Sequence, residues 1–230
     1  TVQTASRINT DVITGTNTLT ISTIGITNTA GITFGVTSAG SIVVSSAISG
    51  ASTSASNLTK DGTGTGKLIL STANTYAGTT SVTAGTLHIT NDNALGTNTQ
   101  STTVSSTATL ELNGVTTLTE PLNLNGTGLG VSNLGALRIL STNPAATLSG
   151  LIKAQTATRI NTDITSGTNT LTISGGITNT NGVTLGGVGD VSITTAITGT
   201  SASTSNLYKD GAGKLILSTA NTYAGTSSIT

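Results

Sequence analysis

The stretch Gly85-Thr86-Leu87-His88-Ile89-Thr90 places aliphatic residues two positions apart between polar ones. A period of two puts Leu87 and Ile89 on one side of an extended backbone and His88 on the other. The same alternation recurs in Thr18-Leu19-Thr20-Ile21-Ser22, Thr109-Leu110-Glu111-Leu112-Asn113, Pro121-Leu122-Asn123-Leu124-Asn125 and Ala136-Leu137-Arg138-Ile139. Each of these stretches is predicted to be a short strand with one apolar and one polar face.

The residues around these strands argue against helix and against disorder. The chain contains 54 Thr and 29 Gly. Thr is β-branched and favours a pleated surface, whereas Gly interrupts every window in which a helical stripe could form. The low charged fraction of 7% is compatible with a disordered tract, but the regular spacing of the aliphatic residues is not. We therefore predict an all-β chain.

Composition also excludes several classes of function. Eight basic residues balance eight acidic ones, so the chain lacks the basic stripe that nucleic acid requires. No apolar run reaches the roughly 18 residues that a membrane span needs. The chain has no Cys and a single His, which leaves few ligands for zinc or haem. We predict no catalytic, cofactor-binding or metal-binding residue, no cofactor and no enzymatic activity.

The architecture is predicted from what fills the core. A β-sandwich of this size draws on several large aromatic residues, and the chain has only Phe34 besides three Tyr. The narrow core of a parallel β-solenoid is instead filled by stacked Leu, Ile and Val, with Thr, Ser and Asn along its faces. With coils of about 21 residues, the chain would form about 11 coils of a β-helix.

A long internal repeat divides the chain into two units. Arg7-Ile8-Asn9-Thr10-Asp11 returns as residues 159–163, and residues 66–79 return unchanged as residues 213–226. We predict a first unit over residues 1–155 and a second, truncated copy over 156–230, within one continuous solenoid of about seven coils per unit. Because Thr1 is not a start residue and no targeting signal opens the chain, we expect a longer parent protein.

Four blocks in the first unit carry a specific resemblance, and they are Gly66 to Leu70, Ala73 to Thr80, Val82 to Leu87 and Asn93 to Gly96. In this order and spacing they resemble the passenger-associated repeat of bacterial autotransporters, with a truncated second copy over residues 213–230. The resemblance implies a right-handed β-helix that is secreted and displayed at a bacterial surface, often as an adhesin or fibre. The family's passengers are typically poor in Cys, as this chain is.

The residues that could carry chemistry are few. His88 is predicted to face solvent, without a second His as partner. The candidate carboxylates for a glycosidase or lyase are Asp11, Asp61, Asp92, Glu111, Glu120, Asp163, Asp190 and Asp210. Because Asp11 and Asp61 recur as Asp163 and Asp210, we interpret them as turn residues that satisfy local backbone donors.

Three further motifs are interpreted as structural. The segment over residues 62–67 resembles a phosphate loop only in part and is predicted to be a turn. Residues 186–190 resemble a calcium-binding nonapeptide only in part, and no calcium site is expected there. Tyr76 and Tyr223 are predicted to pack at the ends of rungs rather than to make exposed contacts. The triplets Thr16-Asn17-Thr18, Thr27-Asn28-Thr29, Thr168-Asn169-Thr170 and Thr178-Asn179-Thr180 resemble ice-binding ranks, but the array is interrupted over residues 110–151.

The sequence therefore predicts a structural or adhesive fibre protein of the bacterial surface or extracellular space. Its expected partners are further copies of itself, stacked end to end or side by side, and a host surface, a neighbouring cell or a glycan. Low charge would permit lateral association, because little repulsion keeps neighbouring fibres apart. The alternatives are a carbohydrate-active β-helix enzyme and an ice-binding solenoid.

Overall fold

The chain folds into an all-β parallel β-solenoid, as the sequence predicts. The structure, a computed structural model, describes residues 4–10, 17–130, 134–143, 145–164 and 170–230. Within these ranges the chain forms 28 short strands and no helix. Among the described residues there is consequently no helix that could cross a membrane. The right-handedness of the coil stays a prediction.

The strands line three faces, and the first two faces are ten-stranded sheets. The first face consists of β1 (Ser6–Thr10), β4 (Ile32–Val36), β7 (Leu58–Asp61), β10 (Thr80–Val82), β12 (Thr102–Val104), β15 (Leu122–Leu124), β18 (Ile152–Ala154), β21 (Ile177–Asn179), β24 (Ile197–Gly199) and β27 (Thr222–Tyr223). The second face consists of β2 (Thr18–Ile21), β5 (Ser41–Val44), β8 (Lys67–Leu70), β11 (Gly85–Ile89), β13 (Ala108–Leu112), β16 (Leu137–Ile139), β19 (Thr158–Thr162), β22 (Val183–Gly187), β25 (Leu207–Lys209) and β28 (Ser227–Ile229).

The third face carries two shorter sheets. They are β3 (Ile26–Thr27), β6 (Ile48–Gly50) and β9 (Thr75–Tyr76), and then β14 (Thr117–Leu118), β17 (Ala146–Leu148), β20 (Thr170–Ile173), β23 (Asp190–Ile193) and β26 (Leu215–Leu217). The loop over residues 91–98 occupies the coil between these two sheets. Asn74 Nδ2 donates to the Ala94 carbonyl at 2.6 Å, and the Thr116 amide donates to Asp92 Oδ1 at 2.7 Å. The loop therefore takes the place of one strand, and the third face runs on through it.

The coils are longer than the sequence predicts. The solenoid has about nine turns, so the expectation of about 11 coils was too high. One turn takes 20 residues where Thr102 pairs with Leu122, but 30 where Leu122 pairs with Ile152. The strands keep their length and the added residues lie in the corners, where an insertion leaves the pairing of neighbouring coils intact.

Aliphatic side chains stack in columns inside the coil. On the second face one column passes through seven residues that are all fully buried, namely Ile42, Leu68, Leu87, Leu110, Leu137, Ile160 and Leu185. Each member meets its register partner on the preceding and following coil, because parallel strands place equivalent positions side by side. Burial of each such side chain contributes about 1.5–3 kcal/mol, so stability accumulates along the axis.

Truncation within this column is expected to be costly. Leu110→Ala should lower the free energy of unfolding by about 2–5 kcal/mol, because it leaves a cavity between Leu87 and Leu137. Urea unfolding followed by circular dichroism measures the effect. Thr107→Ala, in the exposed turn before the same strand, is the control and should stay within about 0.5 kcal/mol of the parent. Equal losses in the two variants would contradict the buried column.

Candidate functional site: a charged ladder on the second face

Glu111 lies at the centre of a row of charged side chains on the outer side of the second face. Its register partners are His88 on the preceding coil and Arg138 on the following one. Glu111 Oε2 accepts from Lys67 Nζ at 2.8 Å and lies 3.2 Å from His88 Nδ1. Glu111 Oε1 lies 3.3 Å from Arg138 Nη1. One carboxylate therefore holds basic side chains from three different coils.

The row continues along the same face. Arg138 Nε donates to Asp163 Oδ2 at 2.6 Å, and Asn161 Nδ2 donates to Asp163 Oδ1 at 2.7 Å. Arg159 donates to Asn161 Oδ1 at 3.0 Å through Nη2 and to Asp210 Oδ2 at 2.6 Å through Nη1. We call this row the charged ladder, and it comprises Lys67, His88, Glu111, Arg138, Arg159, Asn161, Asp163 and Asp210.

The neighbours of Glu111 fix its charge. Burial opposes ionisation of this side chain, which is 4% exposed. The hydrogen bonds from His88 and Lys67, together with their positive charge, outweigh burial and lower the pKa of Glu111 to about 2. Glu111 is therefore ionised near neutral pH, and both of its oxygens have partners. Such a carboxylate is suited to holding coils together and not to donating a proton.

His88 points outward, as the alternation predicts, but it is not a free surface residue. Its side chain is 12% exposed, because Ile69 and Glu111 flank it in the register. The expectation of a solvent-facing histidine was therefore wrong. The error has a physical cause: alternation gives the side of the strand, whereas side chains on adjacent coils determine how much water reaches it.

The Arg159–Asp210 ion pair, like that of Lys67 with Glu111, spans an intermediate coil. Arg159 on β19 reaches Asp210, which follows β25, across the intervening strand β22. Gly186 on β22 lies in the path of this pair. A Cβ atom at Gly186 would collide with both the Arg159 guanidinium and the Asp210 carboxylate. The glycine therefore leaves the space in which the two side chains meet.

The first unit contains the same arrangement. Arg7 Nη1 lies 2.6 Å from Asp61 Oδ2, and a Cβ at the intervening Gly35 would collide with the Arg7 guanidinium. We call the two sets the coil-skipping bridges. They correct the interpretation of Asp61 and Asp210 as local turn residues.

Asp11 and Asp163 are the other pair of repeated acids interpreted from the sequence as turn residues. Asp163 pairs with Arg138 and does not serve as a local turn residue either. Asp11 lies outside the described residues. The ion pairs escaped sequence reasoning because their partners are 54 and 51 residues apart.

Two buried lysines were also missed. Lys60 is fully buried between Phe34 and Val82 in the core column of the first face, and its Nζ donates to the carbonyls of Asp61 at 2.7 Å and Ala84 at 3.0 Å. Burial lowers the pKa of Lys60 to about 8, and the charge of Asp61 opposes this only in part. Lys209 in the second unit donates to the Gly211 carbonyl at 3.0 Å. The sequence Lys60-Asp61-Gly62 recurs as Lys209-Asp210-Gly211, and this recurrence was the available signal.

The core also holds an acid. Glu120 is 5% exposed, and its Oε1 accepts from Thr102 Oγ1 at 3.0 Å. Burial raises the pKa of Glu120 to about 8, although the hydrogen bond from Thr102 favours the ionised form. Its position inside the solenoid, among residues of the first face, removes it from any substrate in solvent.

The tyrosines pack as predicted. Tyr76 is fully buried, its hydroxyl lies 2.7 Å from Thr80 Oγ1, and burial raises the pKa of its phenol. Tyr223 is half-buried and makes the equivalent contact with Ser227 at 2.6 Å. Packing at the end of a rung, and not an exposed contact, is therefore the role of Tyr76.

The first glycine-rich motif is a turn, and the second spans the end of β22, a two-residue bend and the start of β23. Residues 62–66 connect β7 to β8, and Lys67 opens β8, where its amine binds Glu111. Residues 188–189 connect β22 to β23, and Asp190 Oδ1 accepts from the Lys214 amide at 2.8 Å. The prediction of a turn at residues 62–66 is confirmed.

The Thr-Asn-Thr triplets do not form a flat rank among the described residues. Asn28 and Asn179, at the centres of two triplets, are fully buried, and each donates its side-chain amide to the backbone of the next coil. Thr29 and Thr180 follow them and are exposed. Thr16, Thr168 and Asn169 lie outside the described residues. The triplets at residues 27–29 and 178–180 are thus strand-end structures built around a buried asparagine.

The charged ladder is a set of inter-coil ties. Its carboxylates are occupied by arginine, lysine and asparagine, and the acid with a raised pKa is buried in the core. In the part of the chain that the structure describes, no three His, Cys, Asp or Glu residues come together as metal ligands. Glu111 and Asp163 are brought into one network through Arg138, but as charge partners of that arginine.

Glu111→Gln should reduce the dependence of stability on acid pH. The folded pKa of Glu111 is about 2 and its ordinary value 4.5, so its contribution is complete above pH 4.5 and is lost as pH falls toward 2. The parent should lose about 1–3 kcal/mol more than the variant over this range, a figure reduced for the exposure of Lys67. Urea unfolding at pH 5 and pH 2.5 measures this, and parallel losses in both proteins would exclude the role.

Glu120→Gln should remove a dependence of stability on pH that has the opposite sign. The folded pKa of about 8 lies above the ordinary 4.5, so the parent should lose stability as pH rises from 5 to 8. The glutamine keeps an acceptor for Thr102 without a titrating charge. The parent should lose about 2–4 kcal/mol more than the variant between pH 5 and pH 8. Thermal unfolding at the two pH values tests this, and an unchanged slope in Glu120→Gln would contradict it.

A comparison with known protein families identifies two repeats in the chain. The passenger-associated-transport-repeat family model matches residues 58–89 and 207–230. These segments correspond to β7–β11 and β25–β28, so both begin two strands before the aromatic rung of Tyr76 or Tyr223. Searches of curated proteins and of solved structures found no match. The chain thus carries two passenger-associated transport repeats on a parallel β-solenoid. Together these findings support its interpretation as an autotransporter passenger-type surface protein.

Proposed function

We propose that the chain is a structural and adhesive, non-enzymatic section of a fibre at the bacterial surface. The observation that carries this proposal is the recurrence of the passenger-associated repeat inside sheets that run from one end of the described chain to the other. Function in such a molecule comes from length and stiffness, with equivalent units adding to one rod.

The stiffness has a specific source. Backbone hydrogen bonds run parallel to the solenoid axis on all three faces, and fully buried aliphatic columns run beside them. Bending the rod would open hydrogen bonds on one face and compress the packed column on another. The charged ladder adds ties between coils that are neighbours or next-neighbours. These features support a role as a rigid spacer.

The outer surface suits association with further copies of the chain. The formal net charge is zero, and the ladder charges are paired within the chain. Exposed strand positions such as Thr75, Thr198 and Thr222 offer hydroxyl groups without charge. Little long-range repulsion therefore opposes side-by-side packing of rods.

The two alternatives receive less support. A glycosidase needs carboxylates that face a substrate, whereas Glu111 is buried under three basic partners. An ice-binding surface needs regular Thr ranks, whereas Thr178 is flanked by Lys153 in the register. Neither alternative accounts for the repeated coil-skipping bridges.

The proposal is tested by the shape and association of the purified chain. Negative-stain micrographs should show thin rods, and sedimentation should show mass increasing with protein concentration and little changed by salt. Compact particles of constant mass would overturn the fibre proposal. Thr198→Lys combined with Thr222→Lys places like charges on adjacent coils of the first face and should weaken lateral association through that face. Thr107→Lys, in a turn, is the matched control.

A further inference from the structure

Equivalent strands of the two units lie on different faces of the solenoid. The Arg-Ile-Asn-Thr strand is β1 on the first face and β19 on the second. Ten strand pairs shift in this way, each by one face and in the same sense. The pairs are β1/β19, β4/β22, β7/β25 and β10/β28 from first to second, β2/β20, β5/β23 and β8/β26 from second to third, and β3/β21, β6/β24 and β9/β27 from third to first.

The local contacts within each unit are unchanged by this shift. Asn28 Nδ2 donates to the Asn57 carbonyl at 2.9 Å, and Asn179 Nδ2 donates to the Asn206 carbonyl at 2.9 Å. The coil-skipping bridge likewise recurs with the same 2.6 Å distance between guanidinium and carboxylate. The second copy is therefore the same folded unit placed one face further round, and not a slipped pairing of the sequence.

The shift follows from counting the sides of the coil. From β1 to β19 the described residues advance by 18 strands and one strandless side, the loop over residues 91–98. Nineteen sides on a three-sided coil make six and a third turns, so the expectation of about seven coils per unit was too high. The core permits this, because most inward positions are aliphatic on each face and a strand from one face fits another.

We infer that the repeat unit is out of phase with the coil by one third of a turn. Equivalent outer surfaces of successive units then face directions about 120° apart, and three units restore the first orientation. An array of such units presents the surface that binds a partner on all three sides of the rod, and that partner includes a second copy of this chain. This consequence rests on the proposed function, whereas the rotation within the chain does not.

Paired attachment sites on this chain test the rotation. The chain has no Cys, so introduced cysteines can be biotinylated selectively through a short linker. Thr75→Cys with Thr222→Cys marks equivalent exposed positions on the third and first faces. Ser81→Cys with Thr222→Cys marks two positions six coils apart in one ladder of the first face. Both pairs are separated by about 30 Å along the axis, at about 4.8 Å per coil.

The readout is the number of monovalent streptavidin molecules bound per chain, measured by native mass spectrometry. Streptavidin is wider than the axial separation, so two molecules fit only when the sites face different directions. Two should bind the Thr75/Thr222 pair and one the Ser81/Thr222 pair. Each single-cysteine variant should bind one, and circular dichroism confirms that it is folded. Equal stoichiometry in the two double variants, whether one or two, overturns the rotation. The fibre proposal is judged separately, by micrographs.

Discussion

Parallel, in-register stacking is the constraint on which the rest of this molecule depends. It places every strand residue against one residue on the preceding coil and one on the following coil, so a side chain has few possible partners. Inside the coil, Leu and Ile meet Leu and Ile and form continuous columns. Any polar or charged residue must find its partner in its own coil or one or two coils away, or be exposed to water.

The buried and outer charges satisfy this constraint in different ways. Lys60 uses its length to leave the apolar column and donate to carbonyls at a corner, so its charge ends where backbone acceptors are free. Glu111 attracts bases from three coils, and Arg159 passes over a glycine to reach an acid two coils on. Because most of these interactions tie together distant segments of sequence, they strengthen the stack without needing a wider core.

Sequence reasoning predicted what depends on a strand alone. Period-two alternation identified β11, β13, β15 and β16, and the scarcity of aromatic residues favoured the solenoid over a sandwich. Register could not be predicted, because the corners differ in length. One turn takes 20 residues and another takes 30, and no sequence pattern marks the difference. Consequently the partners of Glu111, the burial of His88 and the coil-skipping bridges were missed. The recurrence of Arg7, Gly35 and Asp61, in the same order, as Arg159, Gly186 and Asp210 was a signal whose meaning needs the register.

The relation between repeat and coil shows which level of structure is duplicated. Had the unit been a whole number of turns, each face would carry one type of surface along the rod. Instead the contacts that recur are those between adjacent coils, such as Asn28 with Asn57 and Asn179 with Asn206, while the face on which they occur changes. A solenoid permits this because each coil contacts only its neighbours, so its packing does not depend on its orientation about the axis. The three faces are therefore interchangeable for folding. When the number of sides in a repeated unit is not a multiple of three, equivalent surfaces of successive units point in different directions around the axis.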